Sequence, residues 1–203
     1  MTEKKVQSQY SFLLLAGGKS SRMGKDKGEL TFHGKSFLAC QLEKAKRLGM
    51  EACYLSGHAW KETGVHVVAD RFLNRGPLGG IHACMKEMKT PYCLVLPVDV
   101  PQLPVEALES LLLFHMKKDS YSRLPLLLSH GERVEPLMGI YPVEMAEKIE
   151  ELILEHSLPV FQALDVWGYE TFPVNLSSWE TENINTPEDY QKLLEFEKRG
   201  TEQ

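Results

Sequence analysis

At 203 residues, 43% hydrophobic and 25% charged, the chain has the profile of a globular protein long enough for one complete core, so a single domain over 1–203 is expected. A formal net charge of −5 excludes a nucleic-acid surface as the main partner, because binding a phosphate backbone needs a broad excess of Lys and Arg. The cysteines Cys40, Cys53, Cys84 and Cys93 show no CxxC spacing and no zinc pattern with the histidines, which points to a reduced compartment. Residues 1–10 are polar and the apolar run 12–16 is too short for a signal core or a membrane span. A cytoplasmic, unprocessed protein without membrane partners is expected.

Short apolar runs alternate with amphipathic stretches along the chain, the pattern of an α/β fold with a largely parallel sheet. The run 11–16 ends in Gly17-Gly18 and reads as a buried parallel strand entering a loop. Ser36 is placed to N-cap a helix that carries Phe37, Leu38, Leu42, Ala45 and Leu48 on one face and closes at Gly49. Strands are expected at 52–55, 65–69 and 92–96, with a helix over about 78–88. Pro104 opens another helix with Leu108, Leu111 and Leu112 inward. Residues 124–129 and 134–141 flank the polar HGER at 130–133 and read as a hairpin or antiparallel excursion. A helix over 143–155, a strand near 169–174 and a closing helix from Pro187, capped by Thr186, complete the chain.

The densest chemical signal is LAGGKSSRMGKDK at 15–27. After a buried strand, Gly17 and Gly18 let the backbone approach a ligand, and successive N–H groups can form an anion-binding nest. Lys19, Arg22, Lys25 and Lys27 against the single Asp26 make this stretch a phosphate site by composition, in a chain that is otherwise acidic. Counting excludes two familiar loops. Neither Gly18-Lys19-Ser20 nor Gly34-Lys35-Ser36 has the upstream glycine of a P-loop, and the dinucleotide pattern G-x-G-x-x-G is absent.

Ligands of open α/β sheets sit beyond the carboxyl ends of the strands, so carboxylates just after strands point at the site. Asp99, in LVLPVDVPQLP at 94–104, is therefore a candidate Mg²⁺ ligand, since that hard ion prefers carboxylate and phosphate oxygens. Asp70 follows the strand at 65–69 in the same way and is a candidate for the nucleotide or the metal. The glycines of RGPLGG at 75–80 allow a tight approach before a helix. In ENINTPED at 182–189, Thr186 and Pro187 have a capping explanation, while Asn183 and Asn185 share one side of an extended segment where they can hold a polar substrate.

Together these motifs resemble the molybdenum cofactor guanylyltransferase family, MobA-like nucleotidyltransferases. The resemblance rests on LAGGKSSRMGKDK at 15–27, VVADRF at 67–72, GPLGGI at 76–81, LPVDVPQLP at 96–104, GERVEPLMGIY at 131–141 and NINTPEDY at 183–190, in order over nearly the whole chain. It implies a Rossmann-like three-layer sandwich with a mostly parallel, mixed central sheet, of the type found in nucleotide-diphospho-sugar transferases. The implied reaction joins GMP from GTP to the terminal phosphate of molybdopterin and releases pyrophosphate. By resemblance Leu15, Ala16, Gly17 and Gly18 line the nucleotide, Lys27 contacts its phosphates, Asp70 binds the guanine nucleotide, Asp99 holds Mg²⁺, and Asn183 and Asn185 lie towards the pterin. Ser56 stands where family members often carry an asparagine at the nucleotide site, and its shorter hydroxyl offers fewer contacts. The N-terminal part is then the nucleotide side and about 124–190 the pterin side.

The implied partners are GTP and molybdopterin as substrates, with a molybdopterin-supplying protein and molybdoenzyme clients. Because the phosphate monoester of molybdopterin is already an anionic nucleophile, catalysis rests on positioning and charge neutralisation. Asp99 with Mg²⁺, Lys27 at the α-phosphate and Arg22 on the departing pyrophosphate supply it, Arg through its bidentate fork. Three alternatives stand beside this reading: a CTP-dependent cytidylyltransferase on the same pterin, a sugar-phosphate nucleotidyltransferase, and a non-catalytic nucleotide-binding carrier of molybdopterin.

Overall fold

The computed structural model describes residues 3–16, 26–57, 64–118, 123–155 and 158–200. Residues 3–9, too polar to display an apolar period, form helix α1 (Glu3–Gln9), whose Val6 is fully buried. It leads into β1 (Tyr10–Leu15), every residue of which is buried. A two-strand ribbon follows, β2 (Thr31–Phe32) and β3 (Lys35–Ser36), turned by His33 and Gly34 at φ of 50° and 72°, the positive region that two-residue hairpin turns use.

Helix α2 (Phe37–Arg47) begins where Ser36 predicts, with the Ala39 N–H donating to Ser36 Oγ at 3.1 Å. Its buried face differs from the apolar stripe. Phe37, Leu38, Ala45 and Leu48 are buried, Leu42 is only half-buried, and Gln41 and Lys44 are buried in addition. Burial pushes the Lys44 ammonium pKa down to about 7.

The next strands are β4 (Cys53–Ser56) and β5 (His66–Val68), followed by α3 (Pro77–Met85), β6 (Tyr92–Pro97) and α4 (Val105–Lys117), on which Leu108, Leu111 and Leu112 are inward as expected. The antiparallel excursion is β7 (Leu126–His130) and β8 (Arg133–Pro142), after which a 3-10 turn enters α5 (Ala146–Glu155). Helix α6 (Val160–Trp167), not anticipated from the sequence, follows Pro159 and buries Val160, Ala163 and Leu164. Strand β9 (Glu170–Pro173) and helix α7 (Pro187–Gly200) complete the order. The Asp189 N–H donates to Thr186 Oγ1 at 3.1 Å, so Thr186 caps α7.

Seven strands form one sheet in the order β5-β4-β1-β6-β8-β7-β9. The four on the β5 side are parallel, β8 is antiparallel to both β6 and β7, and β9 is parallel to β7. Alternate residues face opposite ways along each strand. Phe12, Leu14, Leu94, Leu96, Leu126 and Ile140 therefore join a core with α1, α2, α4 and α7, while Leu13, Leu15, Cys93, Val95, Leu127 and Tyr141 join a second core with α3, α5 and α6. These are the three layers expected. Among the described residues no helix is long and apolar enough to cross a membrane.

Two measurements test this packing. A Cβ at Gly139 would lie 2.5 Å from the Leu126 carbonyl oxygen and 3.0 Å from Leu127 Cα, both backbone atoms of the neighbouring strand. Gly139→Val should therefore cost about 2 kcal/mol or more in urea denaturation, the magnitude of core overpacking; an unchanged midpoint would refute the register. Lys44 is disfavoured as a cation in the fold, so the unfolded chain binds its proton more tightly above pH 7. The urea midpoint of the unsubstituted protein, measured against that of Lys44→Met, should rise between pH 7 and about 10. A constant difference across that interval would show that the ammonium is not desolvated.

Candidate active site

The register places three strand ends side by side. Leu15, the last residue of β1, pairs with Ser56 of β4 on one side and with Pro97 of β6 on the other. Ala16 follows, its N–H donating to the Ser56 carbonyl at 3.3 Å. The strand order runs one way from β1 through β4 to β5 and the other way to β6, so β1 borders the point of reversal at which open α/β sheets bind ligands. Gly17, Gly18 and Arg22 lie outside the described residues.

On the β6 side, Asp99 sits two residues past the strand in a turn held by its main chain: the Val98 N–H donates to the Leu15 carbonyl at 3.0 Å, and the Ile184 N–H to the Asp99 carbonyl at 2.9 Å. Lys27 begins a 3-10 turn, Lys27–Glu29, which Asp26 caps by accepting from the Gly28 N–H at 3.1 Å. From there the Lys27 ammonium reaches Asp99 Oδ2 at 2.7 Å and Asn185 Oδ1 at 2.6 Å. The two charged side chains are 20% and 13% exposed, accessible to a ligand and yet partly desolvated. Asp99 Oδ1 is buried and has no hydrogen-bond partner among the described residues. A hard anionic oxygen left open in this way fits a divalent cation that takes one carboxylate and several phosphate oxygens.

The irregular segment 182–185 reaches this point because it is tied along its length. Thr181 Oγ1 lies 2.9 Å from His130 Nε2, Gln102 Nε2 donates to the Trp179 and Glu182 carbonyls at 3.0 Å and 2.6 Å, and buried Ile184 faces the core. The flanking Asn183 and Asn185 thereby face away from the core. Asn185 meets Lys27, and Asn183 Oδ1 is buried without a partner among the described residues.

On the β4 side, Ser56 is 2% exposed and its hydroxyl donates to Asp70 Oδ1 at 3.5 Å. A Cβ at Gly80 would lie 2.1 Å from Ser56 Oγ, and one at Gly79 would lie 2.9 Å from the Phe72 carbonyl. Both glycines are therefore demanded by the approach of α3 to the ends of β4 and β5. Gly76, at φ 60°, and Pro77 start that helix with no side-chain cap, leaving N–H groups at its first turn.

The structure thus gathers Lys27, Asp99 and Asn185 in one cluster and Ser56 and Asp70 in another, with Leu15 and Ala16 between them. Sequence reasoning missed Gln102, Gln41 and Lys44, polar residues that hold the main chain around the site. The one available signal was their spacing: Gln41 and Lys44 fall on the α2 face defined by Phe37, Leu38, Ala45 and Leu48, where an apolar side chain is the default.

The comparisons agree with this architecture. A family model described as the MobA-like NTP transferase domain matches residues 12–165. A molybdenum cofactor guanylyltransferase from Pseudomonas aeruginosa is 31% identical over 183 residues, 88% of this chain and 91% of that protein. A probable molybdenum cofactor guanylyltransferase from Geobacillus is 28% identical over 194 residues, 90% and 96% of the respective chains. Among solved structures, molybdopterin-guanine dinucleotide biosynthesis protein A from Archaeoglobus fulgidus aligns with a TM-score of 0.72 at 25% identity, over 92% of this chain and 97% of that one. The chain belongs to the MobA-like NTP transferase family.

Proposed function

We propose that the protein transfers GMP from GTP to the terminal phosphate of molybdopterin, giving the guanine dinucleotide form of the cofactor and pyrophosphate, in the cytoplasm and with Mg²⁺. The observation that carries this reading is the Lys27–Asp99 pair at the strand reversal, with a carboxylate oxygen to spare and Asn185 alongside. The choice of GTP and of the pterin is supported by the names of the relatives. Leu15, Ala16, Gly17 and Gly18 line the nucleotide, and Ser56 and Asp70 stand at its base end. Asn183 and Asn185, on the 124–190 side, take the pterin.

Asp99, with its unpartnered carboxylate oxygen, would hold the metal, and the bound ion would neutralise phosphate oxygens that otherwise repel a second anion. An oxygen of molybdopterin's terminal phosphate forms the new bond to the α-phosphorus. The bond from that phosphorus to the α–β bridging oxygen breaks, and pyrophosphate leaves with the electron pair, held by Arg22. Lys27 exchanges part of its contact with Asp99 for an oxygen on the α-phosphate, where negative charge builds up, and Asn185 keeps the ammonium oriented between the two substrates.

Pyrophosphate release measured with GTP, CTP and UTP, each with molybdopterin and Mg²⁺, should appear with GTP; turnover with CTP in its place would reassign the nucleotide. Asp99→Ala should lower turnover on the order of 10²-fold or more while circular dichroism stays unchanged. Normal turnover by that variant would remove Asp99 from the metal site. For Lys27→Ala, the expected result is a kcat reduced roughly 10²-fold at saturating GTP, the cost of losing a charge-stabilising donor. A defect confined to KM would restrict Lys27 to nucleotide binding.

A further inference from the structure

Beneath Asp99 lies a polar pair that no reacting group touches. Gln41 is fully buried on α2, and its Nε2 donates to the Pro97 and Val100 carbonyls, both at 3.0 Å. These two carbonyls bracket Asp99. Gln41 Oε1 accepts from Lys44 Nζ at 2.9 Å, and Lys44 in turn donates to the carbonyls of Pro101 at 2.9 Å and Val100 at 3.4 Å. Two carbonyl acceptors on one side and an ammonium on the other permit one orientation of the amide, so the network is unambiguous.

The pair is expensive for the fold alone. These contacts of Lys44 are all to neutral oxygens, and an ammonium taken out of water without a carboxylate is a net cost that well-packed methylenes would avoid. What the cost secures is the position of the main chain over residues 97–101, through the carbonyls of Pro97, Val100 and Pro101. That stretch presents one functional side chain to the strand reversal, Asp99, and its carbonyl also anchors the Ile184 N–H and hence the Asn183–Asn185 segment.

We propose that Gln41 and Lys44 are positioning residues for the transfer reaction: from the buried face of α2 they fix the 97–101 turn, and with it the Asp99 carboxylate that holds the metal. The inference rests on the reading of Asp99 as the metal ligand. Partners behind a metal ligand alter metal affinity or activity by about 10- to 100-fold when removed, without touching the ion.

The test measures Mn²⁺ binding by electron paramagnetic resonance in the presence of a non-hydrolysable GTP analogue, alongside thermal unfolding and steady-state kinetics. Lys44→Met is the informative variant because it removes the buried charge and keeps the volume. It should unfold at a temperature equal to or above that of the unsubstituted protein, yet bind Mn²⁺ about tenfold more weakly and lose kcat with little change in KM for GTP. Gln41→Met should lose Mn²⁺ affinity at least as far. Asp99→Ala, run in parallel, should abolish binding of Mn²⁺ to the protein; if it does not, the metal reading itself fails. If Asp99→Ala loses Mn²⁺ while folded Lys44→Met and Gln41→Met bind it normally, the metal reading stands and the positioning role is overturned. Loss of the folded state in both variants would make the pair a folding requirement and would equally overturn it.

Discussion

The Lys27–Asp99 ion pair joins parts of the chain 72 residues apart at the point where the strand order reverses. Each partner alone would be a charge in a partly desolvated crevice beside a hydrophobic sheet end. Together they compensate one another, and the 3-10 turn that carries Lys27 is docked against the end of β6. The compensation is incomplete, because a carboxylate has two oxygens and Lys27 takes one. That surplus of acceptor capacity next to an ammonium suits the proposed site for polyphosphate and metal: opposite charges already close, with one of them ready to be shared.

The sheet supplies the frame for this pair. Parallel strands β4, β1 and β6 end at a common edge, so their last residues, Ser56, Leu15 and Pro97, lie side by side roughly 5 Å apart by the spacing of paired strands. Strand β8 enters against β6 in the antiparallel sense and sends the hairpin tip at 131–132 to the same edge. Through His130 and Thr181 that tip steers the chain towards Asn183 and Asn185. The second half of the protein can thus meet the first half's charges only because the sheet changes direction after β6. Gly139 belongs to this arrangement, since no side chain fits between β8 and the Leu126 carbonyl.

Helix α2 shows how a helical face serves two purposes. Phe37, Leu38, Ala45 and Leu48 supply the burial that holds it on the sheet, while Gln41 and Lys44 on the same face spend their hydrogen bonds on main-chain oxygens of the Asp99 turn. The apolar contacts provide stability, and the polar ones provide register. A face that is apolar throughout would hold the helix as firmly and leave the turn free to settle among several conformations.

The long apolar runs, with Gly or Pro at their ends, determined the alternation of strand and helix, and so β1, β4, β6, α2, α4 and the β7–β8 hairpin were legible from sequence. Local chemistry also determined the Ser36 and Thr186 caps, because a cap is a contact between residues three apart. Helices α1 and α6 were not legible: α1 is a polar heptapeptide that places Val6 in the core, and α6 is too short to express a period. Lys27, Asp70, Asp99 and Asn185 were recognisable as chemistry-bearing residues from their places after strands and within motifs. Which of them meet was decided by the tertiary structure alone. The separations involved, up to 158 residues between Lys27 and Asn185, are closed by sheet order and by the direction reversal at β8, and neither leaves a periodic trace in the chain. Gln41 and Lys44 belong to the same class, for their partners apart from one another are backbone carbonyls, which every residue carries and no sequence distinguishes.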